Sequence, residues 1–303
     1  MDGIIPLYKE KGMTSFACVS QLRGILKMKR IGHSGTLDPN VEGVLPICLG
    51  KATKLVDYLM NSGKIYQGSI TLGFDTTTED LDGEVVSTKD VEKPLSDDEI
   101  NELLESFVSE DLIQIPPMYS AVKVNGKRLY EYARNGETVE RPKRHVQIHY
   151  FKQTKECVYD EDKKQQTIFF EVGCGKGTYV RTLAVDFGKK INMPAVMSSL
   201  TRIKSGGFNI DETFKLDDIR AAVENNKIDE IVKSIDSVLV DFKHLELNDA
   251  QWATVKNGGF LSSDVIDTKD DKCVLSYKHA VKAIYYYDEN KQVYKPEKMF
   301  SNQ

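Results

Sequence analysis

A single carboxylate stands out in the N-terminal part of the chain, because it lies in a glycine-rich segment. Asp38 closes the run Gly32-His-Ser-Gly-Thr-Leu-Asp and is followed directly by Pro39. Proline disfavours helical dihedral angles in the residue before it, so Asp38 is expected to be extended at a turn. A carboxylate held in this way could serve as a nucleophile or as a base. A turn without chemistry is the alternative, since aspartate and proline are both common turn residues.

Spacing excludes several other chemistries. The run Gly173-Cys-Gly-Lys-Gly-Thr178 has the wrong intervals for a phosphate loop or a dinucleotide fingerprint. The run from Thr78 to Gly83 lacks the carboxylates that begin and end a calcium loop. His33, Ser34 and Asp38 are too close in sequence for the roles of a hydrolytic triad, and no Gly-x-Ser-x-Gly elbow is present. The other histidines have no metal-ligand spacing, so no metal or cofactor is expected.

Helices and strands must bring the reactive residues together. Thr14 is expected to cap a helix that leads through basic residues into the Asp38 loop. Its apolar stripe would consist of Phe16, Val19, Leu22 and Leu26. A helical stripe is also expected after Gly50, followed by a strand over residues 64–73 that carries Tyr66. A strand over residues 166–172 precedes a helix that Thr178 could cap.

Two further regions complete the predicted organisation. Ser96 and Glu99 form a capping box at the start of an amphipathic helix. Residues 115–148 combine a turn at Asn125-Gly126 and a short helix ending at Asn135-Gly136 with tyrosines and positive charge, which indicates an excursion from the sheet. A new pattern begins after Asp241, and from about His244 onward the chain is expected to form a small, mostly β module.

Composition is typical of a soluble globular protein of two domains. The chain has 303 residues, of which 40% are hydrophobic and 29% charged. It begins without a basic leader and apolar run, which predicts a cytoplasmic location. Its five cysteines include no Cys-x-x-Cys pair, so neither disulfides nor zinc are indicated. The net charge is −5, yet basic residues cluster at 23–30 and 123–144, which permits a polyanionic partner on one face.

A set of motifs in chain order resembles the TruB family, the bacterial tRNA pseudouridine synthases that modify uridine 55 in the T-loop. The motifs are Gly32-His-Ser-Gly-Thr-Leu-Asp-Pro39, Gly43-Val-Leu-Pro-Ile-Cys-Leu-Gly50, Lys64-Ile-Tyr66, Leu72-Gly-Phe-Asp-Thr-Thr-Thr-Glu-Asp-Leu-Asp-Gly83, Pro116-Pro-Met-Tyr-Ser-Ala-Val-Lys123 and Gly177-Thr-Tyr-Val-Arg-Thr-Leu183. Several spaced motifs are more specific than any one of them. The resemblance covers about the first four-fifths of the chain, and the tail resembles the small RNA-binding PUA module.

The resemblance implies a fold and a domain division. The expected class is α+β, a pseudouridine synthase fold with a large mixed, mostly antiparallel sheet flanked by helices, plus a small β-rich PUA-like domain. The catalytic domain would span residues 1–243, with an RNA-clamping insertion at about 116–148, and the PUA-like domain residues 244–303. The implied partner is the T-stem-loop of tRNA. A monomer without cofactor or membrane attachment is expected.

The resemblance also implies roles for individual residues. Asp38, Tyr66 and Arg181 would be catalytic, with Arg181 pairing with Asp38 and Tyr66 stacking on the extruded uracil or handling the proton at C5. The implied substrate-binding residues are His33, Tyr179, Leu200, Lys64 and Lys9. The implied contacts to the RNA backbone are Lys27, Lys29, Arg30, Lys123, Arg128, Arg141 and Arg144. Pattern alone leaves core packing open for both tyrosines and a surface position open for Arg181.

The implied reaction is an isomerisation that needs one ionised aspartate. Asp38 would attack C1′ or the uracil ring, or would abstract a ribose proton, and the sequence leaves all three open. Two other functions also remain open, a tRNA-folding chaperone and pseudouridylation of another RNA such as ribosomal RNA. The sequence departs from the usual family pattern at Glu10, where a proline is common, and at Val41-Glu42, where small residues are common.

Overall fold

The computed structural model describes residues 1–266 and 270–301. The strands of the described residues are β1 (Gly3–Lys9), β2 (Ile31–His33), β3 (Glu42–Leu49), β4 (Lys64–Leu72), β5 (Phe74–Thr76), β6 (Val85–Thr88), β7 (Ser109–Gln114), β8 (Lys123–Val124), β9 (Lys127–Arg128), β10 (Arg144–Asp160), β11 (Gln165–Cys174), β12 (Ala195–Ser205), β13 (Phe208–Asn209), β14 (Lys243–Glu246), β15 (Leu261–Ser262), β16 (Lys272–Tyr277), β17 (Ala280–Asp288) and β18 (Val293–Met299). The helices are α1 (Ser15–Leu26), α2 (Val56–Asn61), α3 (Asp97–Glu105), α4 (Leu129–Arg134), α5 (Val180–Lys190), α6 (Leu216–Glu224), α7 (Ile228–Ile231) and α8 (Asp249–Val255). None of these helices has the length and apolar character needed to cross a bilayer.

The main sheet is mixed and mostly antiparallel, as predicted. Its order is β1-β3-β12-β4-β11-β10-β7, with β2 beside β3 and β13 beside β12. All of these pairings are antiparallel except β12 with β3, where Arg202 lies opposite Gly43. A Cβ atom on Gly43 would lie 2.2 Å from the carbonyl oxygen of Arg202, so only glycine allows these two strands to approach here. The α+β class is therefore confirmed.

Local sequence signals determine where the principal helices begin. The Thr14 hydroxyl accepts a hydrogen bond of 3.0 Å from the Ala17 amide at the start of α1. Ser96 and Glu99 form the predicted capping box of α3, with hydrogen bonds of 3.3 and 2.8 Å. Caps of this kind stabilise a helix by about 1 kcal/mol because they pair amides that the helix leaves free.

One face of the main sheet is covered by helices. Leu22 of α1, Leu104 of α3 and Phe187 of α5 are fully buried and join Ile70 and Ile168 of the central strands in one apolar cluster. Burying a side chain of this size contributes about 1.5–3 kcal/mol. This packing matters for the site because α5 carries Arg181 and α1 leads the chain towards Asp38.

The C-terminal part of the chain forms a second sheet. Its five strands have the order β14-β16-β17-β18-β15. Val274, Ile284 and Phe300 of this part pack with Ile4 and Cys48 of the main sheet in one buried cluster. The predicted boundary at 243/244 and the PUA-like character remain predictions, and residues 267–269 and 302–303 of that predicted domain lie outside the described residues.

Two local expectations were wrong. Thr178 does not cap α5, since its hydroxyl donates to the Gly175 carbonyl and Tyr179 occupies the N-cap position. Phe16 is 66% exposed because the buried stripe of α1 runs through residues 15, 18, 19 and 22, to one side of it. The helical stripe expected after Gly50 is present, and its first part is a 3-10 helix (Gly50–Leu55) that α2 continues.

Candidate active site

The loop between β2 and β3 carries Asp38 and is tied down on both sides of that residue. The buried Ser15 hydroxyl donates to the Leu37 carbonyl and accepts from the Leu37 amide, at 3.1 and 2.9 Å. The ammonium of Lys9, fully buried beneath the loop, donates to the Pro39 carbonyl at 2.9 Å. These bonds place the backbone around Asp38 before any substrate binds.

Arg181 projects from the first turn of α5 and meets Asp38. One of its terminal nitrogens lies 3.0 Å from the Asp38 carboxylate and also donates to the Tyr119 carbonyl at 3.0 Å. The other donates to the Thr78 carbonyl at 2.8 Å and lies 3.5 Å from the Asp80 carboxylate. Arg181 is only 4% exposed. The guanidinium is therefore held by four partners and can fix the direction of the Asp38 carboxylate.

The environment of Asp38 favours a basic carboxylate. Burial raises its pKa above the usual aspartate value, the Arg181 guanidinium opposes this rise, and the Asp80 carboxylate adds to it. The side chain nevertheless keeps 42% of its surface open, and that surface faces a cavity. A partly dehydrated carboxylate with a raised pKa is a stronger base than one in water.

The cavity beside Asp38 has a volume of 310 Å³, within the range of about 300–1,000 Å³ that is usual for small-ligand sites. Asp38, Arg181, Tyr66, Tyr179 and Leu200 all line it. The five side chains come from the β2–β3 loop, α5, β4, the N-cap of α5 and β12 in that order. With Lys64, which also lines the cavity, the structure brings together all three residues predicted to be catalytic and three of those predicted to bind substrate.

Glutamine holds Tyr179 at the cavity. Gln114, at the end of β7, accepts from the Tyr179 amide at 3.0 Å and donates to the Tyr179 carbonyl at 3.2 Å. Its side chain is almost fully buried. This paired interaction links the edge strand β7 to the N-terminus of α5 and thereby holds the backbone of Tyr179 beside the cavity.

Two residues of the site were missed by sequence reasoning. Asp80 holds Arg181 from the side opposite Asp38, and Arg202 of β12 lines the cavity near Tyr66. Asp80 lies in the Leu72–Gly83 motif that carries the TruB resemblance, but no role was assigned to this residue. Arg202 follows Leu200 at the two-residue spacing of side chains on one strand face, and that signal could have identified it.

The remaining predicted residues lie in different places. Lys64 and Arg144 line the cavity, and the buried Lys64 ammonium donates to the carbonyls of Met60 and Ser62 at 2.9 Å each. Burial lowers the pKa of Lys64 to about 8, with Arg202 adding to the effect. His33 is half-buried at the end of β2, where burial lowers its pKa.

The other predicted phosphate contacts are at or near the surface. Lys27, Lys29 and Arg30 follow α1, and the Arg30 guanidinium donates to the Thr53 hydroxyl. Lys123 and Arg128 are exposed on the β8–β9 hairpin, whose turn has the positive φ angles expected of Asn125-Gly126. Arg141 donates to the Pro116 carbonyl at 3.0 Å and so ties the two ends of the basic excursion together.

Two family models match the chain in succession. The model for the N-terminal domain of the TruB family pseudouridylate synthases matches residues 23–180. The model for the tRNA pseudouridylate synthase B C-terminal domain matches residues 181–240. The chain belongs to the TruB family of pseudouridylate synthases, and it is an isomerase that converts uridine to pseudouridine.

Individual relatives are similar along their whole length. Proteins named tRNA pseudouridine synthase B from Pediococcus pentosaceus and Ligilactobacillus salivarius are each 56% identical to this chain over 299 residues, covering 99% of both partners. Two solved structures, an H/ACA ribonucleoprotein bound to a substrate RNA containing 2′-deoxyuridine and a Cbf5–Nop10–Gar1 complex, each have a TM-score of 0.72. Their matched chains are 21% and 24% identical to this one, and the match covers 98% of this chain and 84% of theirs, which establishes the shared fold.

Proposed function

We propose that this chain converts uridine 55 in the T-loop of tRNA to pseudouridine, with Asp38 as the catalytic carboxylate. The observation that carries the proposal is the contact of 3.0 Å between Asp38 and Arg181 in a cavity that Tyr66 also lines. The relatives that share 56% identity and bear the name tRNA pseudouridine synthase B support tRNA as the substrate.

The reaction rearranges the nucleoside without changing its composition. The bond between C1′ and N1 breaks, the uracil turns within the cavity, and C1′ bonds to C5, while one proton leaves C5 and one arrives at N1. Asp38 serves as a nucleophile towards C1′ or the ring, or as the base that takes a ribose proton. Its raised pKa suits each of these roles, because it makes the ionised carboxylate more basic.

The target uridine has to leave its stack before Asp38 can reach it. Extruding a base costs a few kcal/mol, and stacking on an aromatic ring returns about 1–3 kcal/mol. Tyr66 is the proposed stacking platform, and Leu200 and Tyr179 enclose the base. The cavity of 310 Å³ corresponds to the volume of about ten water molecules, which gives a nucleobase room to turn.

Basic groups outside the cavity are proposed to hold the phosphates of the T-stem-loop. Lys27, Lys29 and Arg30 would contact the backbone near the site. The excursion at 116–148 would close over the RNA with Lys123, Arg128, Arg141 and Arg144, and the C-terminal sheet would add a PUA-like contact. Such contacts make affinity fall as salt rises. The protein is proposed to act as a cytoplasmic monomer.

A tritium-release assay tests the proposal. Unmodified tRNA transcripts carrying tritium at uridine C5 are incubated with wild type, Asp38→Asn and Asp217→Asn, a matched control whose side chain is 90% exposed on α6. Wild type and Asp217→Asn are expected to release the label, and Asp38→Asn is expected to release none. A transcript with cytidine at position 55 should release none with any of them.

Three other outcomes would overturn the proposal. Equal tRNA binding by all three proteins with no release by any of them would indicate a tRNA-folding chaperone. Release from ribosomal RNA but not from tRNA would indicate another RNA substrate. Release from the cytidine-55 transcript would show that a different uridine is the target.

A further inference from the structure

A buried arginine beside the catalytic cavity lacks a counter-charge. Arg202 is 1% exposed, and within residues 1–266 and 270–301 no carboxylate oxygen lies within 4.0 Å of its guanidinium. Its Nε donates to the Val44 carbonyl at 2.7 Å and one terminal nitrogen donates to the Gly35 carbonyl at 3.3 Å. These two bonds go to neutral carbonyl groups, and burying a charge without an ionic partner is costly.

The strand register places this guanidinium beside Tyr66. Arg202 of β12 lies directly opposite Tyr66 of β4 in an antiparallel pair. Side chains of such a pair project from the same face of the sheet, with Cβ atoms about 4.5–5.5 Å apart. Both side chains line the cavity that Asp38 faces. The arginine is thus the cationic neighbour of the Tyr66 ring on the cavity floor.

The charged and titratable groups that face the Tyr66 hydroxyl come from three elements. Burial raises the pKa of Tyr66, Arg202 on β12 lowers it through its charge and a hydrogen bond, and Cys174 on β11 and Asp38 in the β2–β3 loop raise it. The Cys174 thiol is itself neutral, because burial raises its pKa to about 11. Arg202 is therefore the group in this set that stabilises an ionised tyrosine.

We propose that Arg202 is a positioning residue that acts through Tyr66, holding its hydroxyl in place and stabilising its phenolate when the tyrosine takes the proton from C5. The inference rests on the proposed function and deepens it. A guanidinium needed only to tie β3 to the Gly35 loop would require donors but no charge. The absence of an anionic partner in the described residues is explained if the anion forms during the reaction.

The proton balance of the step closes within the site. The Tyr66 hydroxyl first gives its proton to N1 of the detached uracil, which leaves a phenolate beside Arg202. After C1′ has bonded to C5, the phenolate oxygen takes the C5 proton, and the electron pair of that C–H bond re-forms the C5–C6 double bond. One proton has arrived at N1, one has left C5, and Tyr66 is neutral again. No further reactant is required.

The first measurement titrates Tyr66 in the absence of RNA. Wild type, Arg202→Gln, Arg202→Lys and the surface control Arg220→Gln are labelled with ¹³C at the tyrosine Cζ, and the Tyr66 signal is assigned by its loss in Tyr66→Phe. The Tyr66 pKa is expected to rise by about one unit or more in Arg202→Gln, and by less in Arg202→Lys, because a neighbouring cation favours the phenolate. Identical titration in folded wild type and Arg202→Gln would overturn the proposal.

The second measurement follows single-turnover tritium release against pH. Arg202→Gln is expected to be slower by about tenfold or more over the whole pH range tested, while tRNA affinity stays within about twofold. Arg202→Lys should recover part of the rate. In a Tyr66→Phe background, Arg202→Gln should slow tritium release little further. A second loss of rate as large as that seen in wild type would contradict an action through Tyr66.

Folding and function are checked separately. Thermal unfolding identifies any variant that fails to fold. If Arg202→Gln fails to fold, both measurements are made on Arg202→Lys instead. The titration uses no RNA, so it decides the role of Arg202 even if wild type releases no tritium. If only the proposed function is wrong, wild type releases no tritium, while the Tyr66 pKa still rises from wild type to Arg202→Gln as expected.

Discussion

Replacing Arg181 with lysine tests whether Asp38, the proposed catalytic carboxylate, depends on the shape of its partner as well as on its charge. The two terminal nitrogens of Arg181 divide their contacts. One lies 3.0 Å from Asp38 and from the Tyr119 carbonyl, and the other contacts the Thr78 carbonyl at 2.8 Å and Asp80 at 3.5 Å. A lysine has a single nitrogen and cannot stand in both places. Arg181→Lys therefore keeps the charge but releases one carboxylate.

The size of the effect follows from the contact that is lost. A hydrogen bond to a charged group is worth about 1.5–3 kcal/mol. If that bond orients Asp38 in the transition state, its loss slows single turnover by about 10- to 150-fold, at tenfold for each 1.36 kcal/mol. Arg181 also lowers the pKa of Asp38, so the acid limb of the pH–rate profile should move to higher pH, and further in Arg181→Met than in Arg181→Lys.

Single-turnover tritium release over a range of pH, together with tRNA binding, provides the measurement. Arg220→Lys serves as the matched control, because Arg220 is half exposed on α6 and pairs only with the exposed Asp217 in the described residues. It should leave rate and affinity unchanged. A folded Arg181→Lys enzyme with the wild-type rate would refute the reasoning, and so would a loss that weaker tRNA binding fully explains.

Three further predictions concern stability. The pKa of Lys64 is about 8 in the folded protein and 10.5 in the unfolded chain, so the unfolded state binds more protons between pH 8 and 10.5. The free energy of unfolding of wild type should therefore rise over this range, by about 3 kcal/mol. Urea unfolding of Lys64→Met should lack this rise. The pKa of Asp38 is raised in the folded protein, so the free energy of unfolding of wild type should fall as pH rises from about 3.8 through the folded-state pKa. Asp38→Asn should lack this fall. The reasoning would be contradicted if Asp38→Asn, compared with wild type, were less stable at neutral pH than at acidic pH. Ser96→Ala should cost about 1 kcal/mol by removing the cap of α3, and an unchanged melting temperature would argue against the cap.

Short-range patterns predicted much of the fold. The capping residues Thr14 and Ser96, and the strands that carry Tyr66 and residues 166–172, depend on spacing within a few residues and were found as expected. The Asn125-Gly126 turn followed in the same way from the backbone freedom of these residues. Such features can be predicted from the sequence because they are determined by the conformational preferences and hydrogen bonds of a few neighbouring residues.

The supporting residues of the site could not be derived in this way. Arg202 reaches the carbonyl of Val44, 158 positions earlier in the chain, and Arg181 reaches Thr78, 103 positions earlier. The spacing from Leu200 assigns Arg202 to a strand face, but it does not say which strands become neighbours, and these neighbours decide how deeply the arginine is buried. The wrong assignment of Thr178 as a cap has the same origin, because Gln114 on a distant strand satisfies the amide of Tyr179.

The charge of the cavity reconciles an acidic protein with a polyanionic substrate. Among the described residues, the lining contains five cationic side chains, Lys64, Arg144, Lys176, Arg181 and Arg202, and one carboxylate, Asp38, although the chain has a net charge of −5. A concave surface with low-dielectric walls concentrates this potential, which attracts phosphate-rich RNA to the opening. The same cations act at short range, since Arg181 opposes the rise in the Asp38 pKa and Arg202 favours the Tyr66 phenolate. One arrangement of positive charge therefore attracts the substrate and also stabilises the ionised forms of Asp38 and Tyr66 that the proposed mechanism requires.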